Sequence, residues 1–354
     1  MNSRLQWLDV AKGGAILLVV LHHSILVSSD YDLTHDAFLS LDYYLKQMRM
    51  PLFFLASGIT TSFVISRSSR DYIATKLLPI AWIFLFWTIV LGVVFDGVFQ
   101  AAPMAEGGLF HYLAEAIVHP KYGMWFVLVL GVLSAVALLL RNVPPGIVFI
   151  GSLALTLAND LSMMPASFGP FAKFMVHNMF DYAFFYFIGL YSTQAIVSAV
   201  SSPKRTLITL TVAVIAFVCL NMLVKFGSSH YFLVTQTARA TAGATIGLCL
   251  AVLISQWKAA GDTFSWVGKR SLGIFVAHGL FLFPLARLLS ERMKGVENAG
   301  LITPPLIAVI AVMCSLMLYL SLSRAGLSWL YVLPSRVGHR IMSAVPSRQR
   351  DNAG

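Results

Sequence analysis

Ten stretches of this sequence are apolar for long enough, or nearly long enough, to cross a lipid bilayer as helices. A bilayer core takes about 18 to 20 such residues, and within it only helices or closed barrels satisfy the backbone. The stretches fall at about 8–28, 45–65, 77–99, 123–140, 146–160, 179–199, 206–225, 238–257, 266–288 and 302–323. The weakest are 45–65, which opens with Lys46 and Arg49, and the short 146–160. Only 11% of residues are charged and 58% are hydrophobic, whereas about a quarter are charged in a soluble domain. The expected fold is an all-α polytopic membrane protein of about ten transmembrane helices.

The charges sort by loop. If the N- and C-termini are cytoplasmic, about 16 of the 25 Lys and Arg fall in inner loops and tails, as the positive-inside rule requires. Among the acids, only Asp9, Asp71, Asp262 and Asp351 fall inside, whereas Asp30, Asp32, Asp36, Asp42, Glu106 and Glu115 fall outside. The net charge of +10 is thereby assigned to topology, and nucleic acid is set aside as a partner. Residues 1–330 read as one transmembrane domain and 331–354 as a basic cytoplasmic tail. The aromatic patch SWLYVLP after residue 324 is expected along the inner membrane surface. Cys219, Cys249 and Cys314 lie inside apolar runs without paired or ligand spacing, so they read as packing residues. The first span has two histidines and no A-x-A site, which argues against a cleaved signal peptide. No internal repeat is visible, which weakens a secondary-transporter reading.

The first span reads KGGAILLVVLHH over residues 12–23. Lys12 and His23 are eleven residues apart, about 16.5 Å of helical rise, and return to within roughly 20° of one face. His22 is turned away by about 100° and faces a different neighbour. Asp30 follows His23 by seven residues, on nearly the same face if the helix continues. Asp9 is three residues before Lys12, within reach of an ion pair. Two readings stand on these residues alone: a snorkelling lysine with a hydrogen-bonded core histidine, or a functional pair.

The second span carries MRMPLFFLASGI at 48–59, followed by ISRSSRDYIATKLLPIAW at 65–82. Here the chain resembles the acyltransferase-3 superfamily of integral membrane O-acyltransferases. The resemblance rests on Leu8, Asp9, Lys12, Gly13 and His23 in the first span and on Met50, Pro51, Leu52, Phe53, Phe54, Ser57 and Gly58 in the second. It continues with the R-x-x-R pair Arg67 and Arg70. Weaker matches run through Trp125 and Phe126, FFYFIGLY at 184–191 and SLGIFVAHGL at 271–280, so nearly the whole chain is covered. The chain departs from the pattern at Arg49, where relatives often carry histidine or an aromatic residue, and at Phe275, where tyrosine is common.

The resemblance implies transfer of a short acyl group from cytoplasmic acyl-CoA, acetyl-CoA or succinyl-CoA, to a hydroxyl of an extracytoplasmic or exported glycan or lipid-linked sugar. The setting expected is a bacterial cytoplasmic (inner) membrane. Lys12, Arg67, Arg70 and Lys76 are the candidates to hold the coenzyme phosphates, since guanidinium pairs bind phosphate oxygens in bidentate fashion. His23 is the candidate general base, with a histidine acyl intermediate as the alternative. Asp30 is a candidate to orient its ring. Arg49 is a candidate to stabilise the oxyanion or to bind an acidic acceptor, against plain interfacial snorkelling. Tyr122, Trp125 and His278 are the candidate acceptor contacts, with an interfacial aromatic belt as the other reading of Tyr122 and Trp125 and a structural hydrogen bond as that of His278. No histidine spacing implies a metal. A transporter with Lys12 and His23 lining its pathway is the rival reading, and the oligomeric state is open.

Overall fold

The computed structural model describes residues 5–97, 108–120, 123–160, 170–227, 229–293 and 295–344, and all regular structure among them is helical. In chain order the α-helices are α1 (Gln6–Ser29), α2 (Asp36–Ser62), α3 (Ser69–Tyr72), α4 (Leu78–Gly97), α5 (Gly108–Val118), α6 (Trp125–Leu139), α7 (Pro145–Asp160) and α8 (Pro170–Tyr191). They continue with α9 (Thr193–Ala199), α10 (Pro203–Phe226), α11 (Ser229–Gln256), α12 (Lys258–Gly268), α13 (Ser271–Arg292), α14 (Ala299–Arg324) and α15 (Ser335–Ala344). A π-helical turn, Ile73–Leu77, joins α3 to α4.

Among the described residues each of the ten apolar stretches is mostly helical, with 179–199 divided between α8 and α9 at Ser192. Among the described residues six helical segments are long and apolar enough to cross a membrane: Gln6–Ser29, Ser69–Phe95, Pro203–Phe226, Thr235–Gln256, Ser271–Arg292 and Ala299–Arg324. The remaining four fall short for visible reasons. α2 carries Asp36, Asp42, Lys46 and Arg49, and α8 carries His177, Asn178 and Asp181. α6 and α7 are 15 and 16 residues long. Among the described residues, six of the ten expected spans therefore meet the length and composition of a membrane crossing. α10 is apolar and exposed along most of its length, with Leu207, Ile208, Val212, Ile215 and Met222 all open. Such a surface is covered by lipid in an integral membrane protein.

The chain divides into two compact units, Met1–Ser62 with Val143–Ala325, and Phe63–Asn142 with Gly326–Gly354. In the larger unit α2 packs against α1, α8 and α11. Small residues make this possible. A Cβ on Gly58 would overlap the Tyr186 carbonyl oxygen, and one on Gly189 the Leu55 carbonyl oxygen, so the backbones of α2 and α8 touch. Around that contact Phe54 stacks on Tyr182 with centroids 4.7 Å apart, and the Thr61 and Tyr186 hydroxyls share a 2.9 Å hydrogen bond. Pro51 lies inside the continuous α2 and cannot donate to the Gln47 carbonyl one turn back. Gly243 of α11 lies against that carbonyl.

In the smaller unit Tyr72, fully buried, donates its hydroxyl to the Ser134 carbonyl at 3.0 Å. The indoles of Trp82 and Trp87 donate to the Trp329 and Leu330 carbonyls at 2.8 and 2.9 Å. The SWLYVLP patch is thus fixed to α4. Beyond it, α15 lays Gly338 against the Ala74 carbonyl of the π-helical turn.

Gly58→Ala is expected to push α2 off α8 and destabilise the protein by about 1–3 kcal/mol, the usual cost of overpacking. Gly14→Ala, where nothing lies within 4 Å of the new methyl, is its control. Thermal unfolding in detergent should show a lower Tm for the first variant only.

Candidate active site

α1 and α2 run antiparallel, and polar side chains tie them at both ends. The Lys12 ammonium donates to the Thr60 hydroxyl at 2.9 Å, which itself donates to the Ala56 carbonyl. About 15 Å further along α1, His22 Nδ1 meets both oxygens of the Asp42 carboxylate at 2.9 and 3.0 Å. Asp42 also accepts from Arg49 Nη1 at 2.5 Å. Asp42 and Arg49 are seven residues apart, two turns on one face of α2. Arg49 is only 4% exposed. One carboxylate therefore holds a buried guanidinium and an imidazole together, and its own charge is matched.

His23 takes the other direction, as the 100° step between neighbouring residues requires. Its Nδ1 lies 3.2 Å from His278 Nε2 on α13, and the two rings are 5.0 Å apart. His278 Nδ1 in turn lies 2.5 Å from the Phe275 carbonyl oxygen. Hydrogen-bond chemistry then fixes the protons. A carbonyl only accepts, so His278 Nδ1 carries hydrogen, and a neutral His278 has a bare Nε2. The bond between the rings needs one donor, so His23 Nδ1 carries hydrogen and His23 Nε2 keeps its lone pair. The chain of donors runs from His23 through His278 to Phe275, and it leaves a proton acceptor at His23.

The structure brings Lys12, His23, Arg49 and His278 into the larger unit, with α1 and α2 between them. Asp30 is not part of this arrangement. It is exposed at the end of α1, about 10 Å of rise beyond His23, and its backbone N–H closes the helix on the Leu26 carbonyl. Asp42 is the carboxylate that reaches the histidine pair, through His22. The sequence carried a signal for it: the 42–49 spacing places an acid and a base on one helical face. Both ring nitrogens of His278 are used within the protein, which sets this residue behind His23.

In the smaller unit, Ser68 caps α3 by accepting from the Asp71 N–H and donating to the Asp71 carboxylate at 2.7 Å. This fixes the turn that bears Arg67 and Arg70, both exposed. Lys76 is on the π-helical turn, a distortion often found at functional sites. Trp125 opens α6, half-buried and edge-on to Phe126. Tyr122 lies outside the described residues.

Removing Asp42 leaves Arg49 buried beside His22 without its anion. Asp42→Ala is expected to cost up to about 3–5 kcal/mol, as breaking a buried pair does. Asp42→Leu combined with Arg49→Met should recover much of that loss, and urea or thermal unfolding of the variants reads both.

Residues 5–324 match the family described as an acyltransferase domain. No curated relative and no solved structure shows significant similarity to the chain. The match takes in α1 with its two histidines, the α2 motif, the Arg67–Arg70 turn and the His278 helix. The chain belongs to the acyltransferase-3 family, and with its apolar helices it is an integral membrane acyltransferase.

Proposed function

We propose that the protein transfers a short acyl group, acetyl or succinyl, from cytoplasmic acyl-CoA to a hydroxyl of an extracytoplasmic or exported glycan. The observation that carries this reading is the hydrogen-bonded chain from His23 through His278 to the Phe275 carbonyl, whose donors and acceptors assign the open lone pair to His23 Nε2. An O-acyl transfer needs one proton removed from an alcohol as it attacks, and a half-buried imidazole with an open nitrogen can take it.

The steps balance as follows. His23 Nε2 takes the acceptor hydroxyl proton while the oxygen attacks the thioester carbon. The tetrahedral oxyanion collapses, the C–S bond breaks, and the thiolate of CoA receives the proton from His23. Positive charge on His23 is transient, and the donor chain to Phe275 stabilises it. Arg49 carries five N–H donors, of which Asp42 takes one in the bond described, so the guanidinium also suits stabilisation of the oxyanion.

Arg67, Arg70, Lys76 and Lys12 are assigned to the coenzyme phosphates. Support comes from the exposed R-x-x-R pair on a capped turn and from the fork geometry with which Arg meets phosphate. Lys12 and His23 are about 16.5 Å apart along α1, a separation that suits a long thin donor with phosphates at one end and a thioester at the other. With the basic loops inside, both termini are cytoplasmic, and a bacterial inner membrane is the setting.

Purified protein with labelled acetyl-CoA or succinyl-CoA and envelope glycan tests the reading. His23→Ala is expected to lower transfer by about 10²–10⁴, the range for loss of a general base, without loss of folding. Transfer at the wild-type rate would end the assignment. Arg67→Ala with Arg70→Ala is expected to raise KM for acyl-CoA at least tenfold with little change in kcat. An unchanged KM would return these residues to topology alone.

A further inference from the structure

α3 carries Arg70 and follows Arg67, yet it is a single turn of four residues. A helix that short takes its order from what packs on it. One face is held by the buried Tyr72, whose hydroxyl donates to the Ser134 carbonyl of α6. Asp71 and Ala74, three residues apart, share another face. α15 packs there, against α3 and the π-helical turn.

The seat for α15 comes from a proline. In a π-helical turn each carbonyl accepts from the N–H five residues on, as Ile73 does from Leu78. For Ala74 the fifth residue is Pro79, which has no N–H. Gly338 of α15 lies against the Ala74 carbonyl, and both residues are buried. A Cβ on Gly338 would stand 2.5 Å from that oxygen, so a side chain here would part the two backbones. One residue on, His339 donates Nδ1–H to the Ser335 carbonyl at 2.8 Å, and its Nε2 lies 3.5 Å from the Asp71 carboxylate. With Nδ1 already a donor, attraction to a carboxylate requires hydrogen on Nε2 as well, so the contact is that of an imidazolium. This half-exposed pair adds little stability. Gly338 sets how closely α15 approaches, and His339 sets which way it is turned.

Arg70 is beside Asp71, and Lys76 is on the turn that seats Gly338. A guanidinium fork meets phosphate in a directed, bidentate way, so the backbone that bears it must be held. The imidazolium also offsets the Asp71 carboxylate, which would otherwise oppose an anion next to Arg70. We propose that α15 is a latch for the coenzyme site: seated on Ala74 and Asp71, it positions the Arg67–Arg70 turn and Lys76 for the phosphates of acyl-CoA. The proposal rests on the assignment of those cations to the coenzyme. Gly338 and His339 act through them and are positioning residues. α15 lies beyond residues 5–324, outside the family match.

The test uses the full chain in detergent, with CoA binding read by isothermal titration calorimetry and kcat measured at saturating acyl-CoA. Gly338→Val is expected to weaken CoA at least fivefold with kcat within twofold of wild type. His339→Leu is expected to weaken CoA at least twofold, and His339→Lys, which keeps a cation opposite Asp71, to restore it. Val337→Ala, on the exposed side of α15, is the control and should bind CoA as wild type does. Unchanged affinity in both Gly338→Val and His339→Leu overturns the proposal, and so does a fall in kcat as large as the fall in affinity. Should Gly338→Val fail to fold, equal affinity in His339→Leu and His339→Lys overturns it. Failure of the coenzyme assignment reads differently: Arg67→Ala with Arg70→Ala then binds CoA as wild type does, which removes the site the latch would serve. If that double variant loses CoA while the α15 variants keep it, the cations stand and the latch alone falls.

Discussion

A polar side chain inside an apolar helix bundle must find its partner within the bundle, and that requirement organises this structure. The α1–α2 pair meets it twice, at Lys12–Thr60 and at His22–Asp42–Arg49. These contacts set the antiparallel register of the two helices as firmly as their apolar faces do. Apolar packing alone is a poor guide to register in lipid, because the tails outside are as apolar as the side chains. Small residues let the backbones come close enough for such bonds to form. Gly58 and Gly189 do so for α2 and α8, and Gly13 and Gly268 for α1 and α12.

The two neighbouring histidines illustrate how one helix separates two kinds of chemistry. His22 faces a carboxylate that also neutralises a buried arginine, so its surroundings are ionic and matched. His23 faces a second imidazole backed by a carbonyl, so its own hydrogen-bond partner is uncharged. A carboxylate behind His23 would favour the imidazolium before reaction. A carbonyl orients the proton without adding a charge that the apolar interior would have to compensate. This division makes His23 the ring with a lone pair to use.

Much of this was legible in the sequence. Run length and composition gave the all-helical membrane fold, and the eleven-residue spacing gave one face shared by Lys12 and His23. The 100° step that turned His22 aside is what the structure shows. The number of membrane-long spans was not legible, since α2 and α8 join apolar halves to polar ones and α6 and α7 are short. The partners were not legible either. Asp30 was the nearest acid along α1, but about 10 Å of helix separates it from His23, whereas Asp42 reaches back to α1 from another helix.

The sequence by itself determined that the long apolar runs are helical, which face of α1 carries Lys12 and His23, and which reaction family the motifs belong to. These are local properties, set by helical period, apolar run length and short motifs. Only the tertiary structure decided that Asp42 binds both His22 and Arg49, that His278 stands behind His23, and that Gly338 seats α15 on the Ala74 carbonyl. Each of these joins residues far apart in the chain, 255 positions apart for His23 and His278. No period or spacing encodes such a contact, because it exists only once the helices have packed.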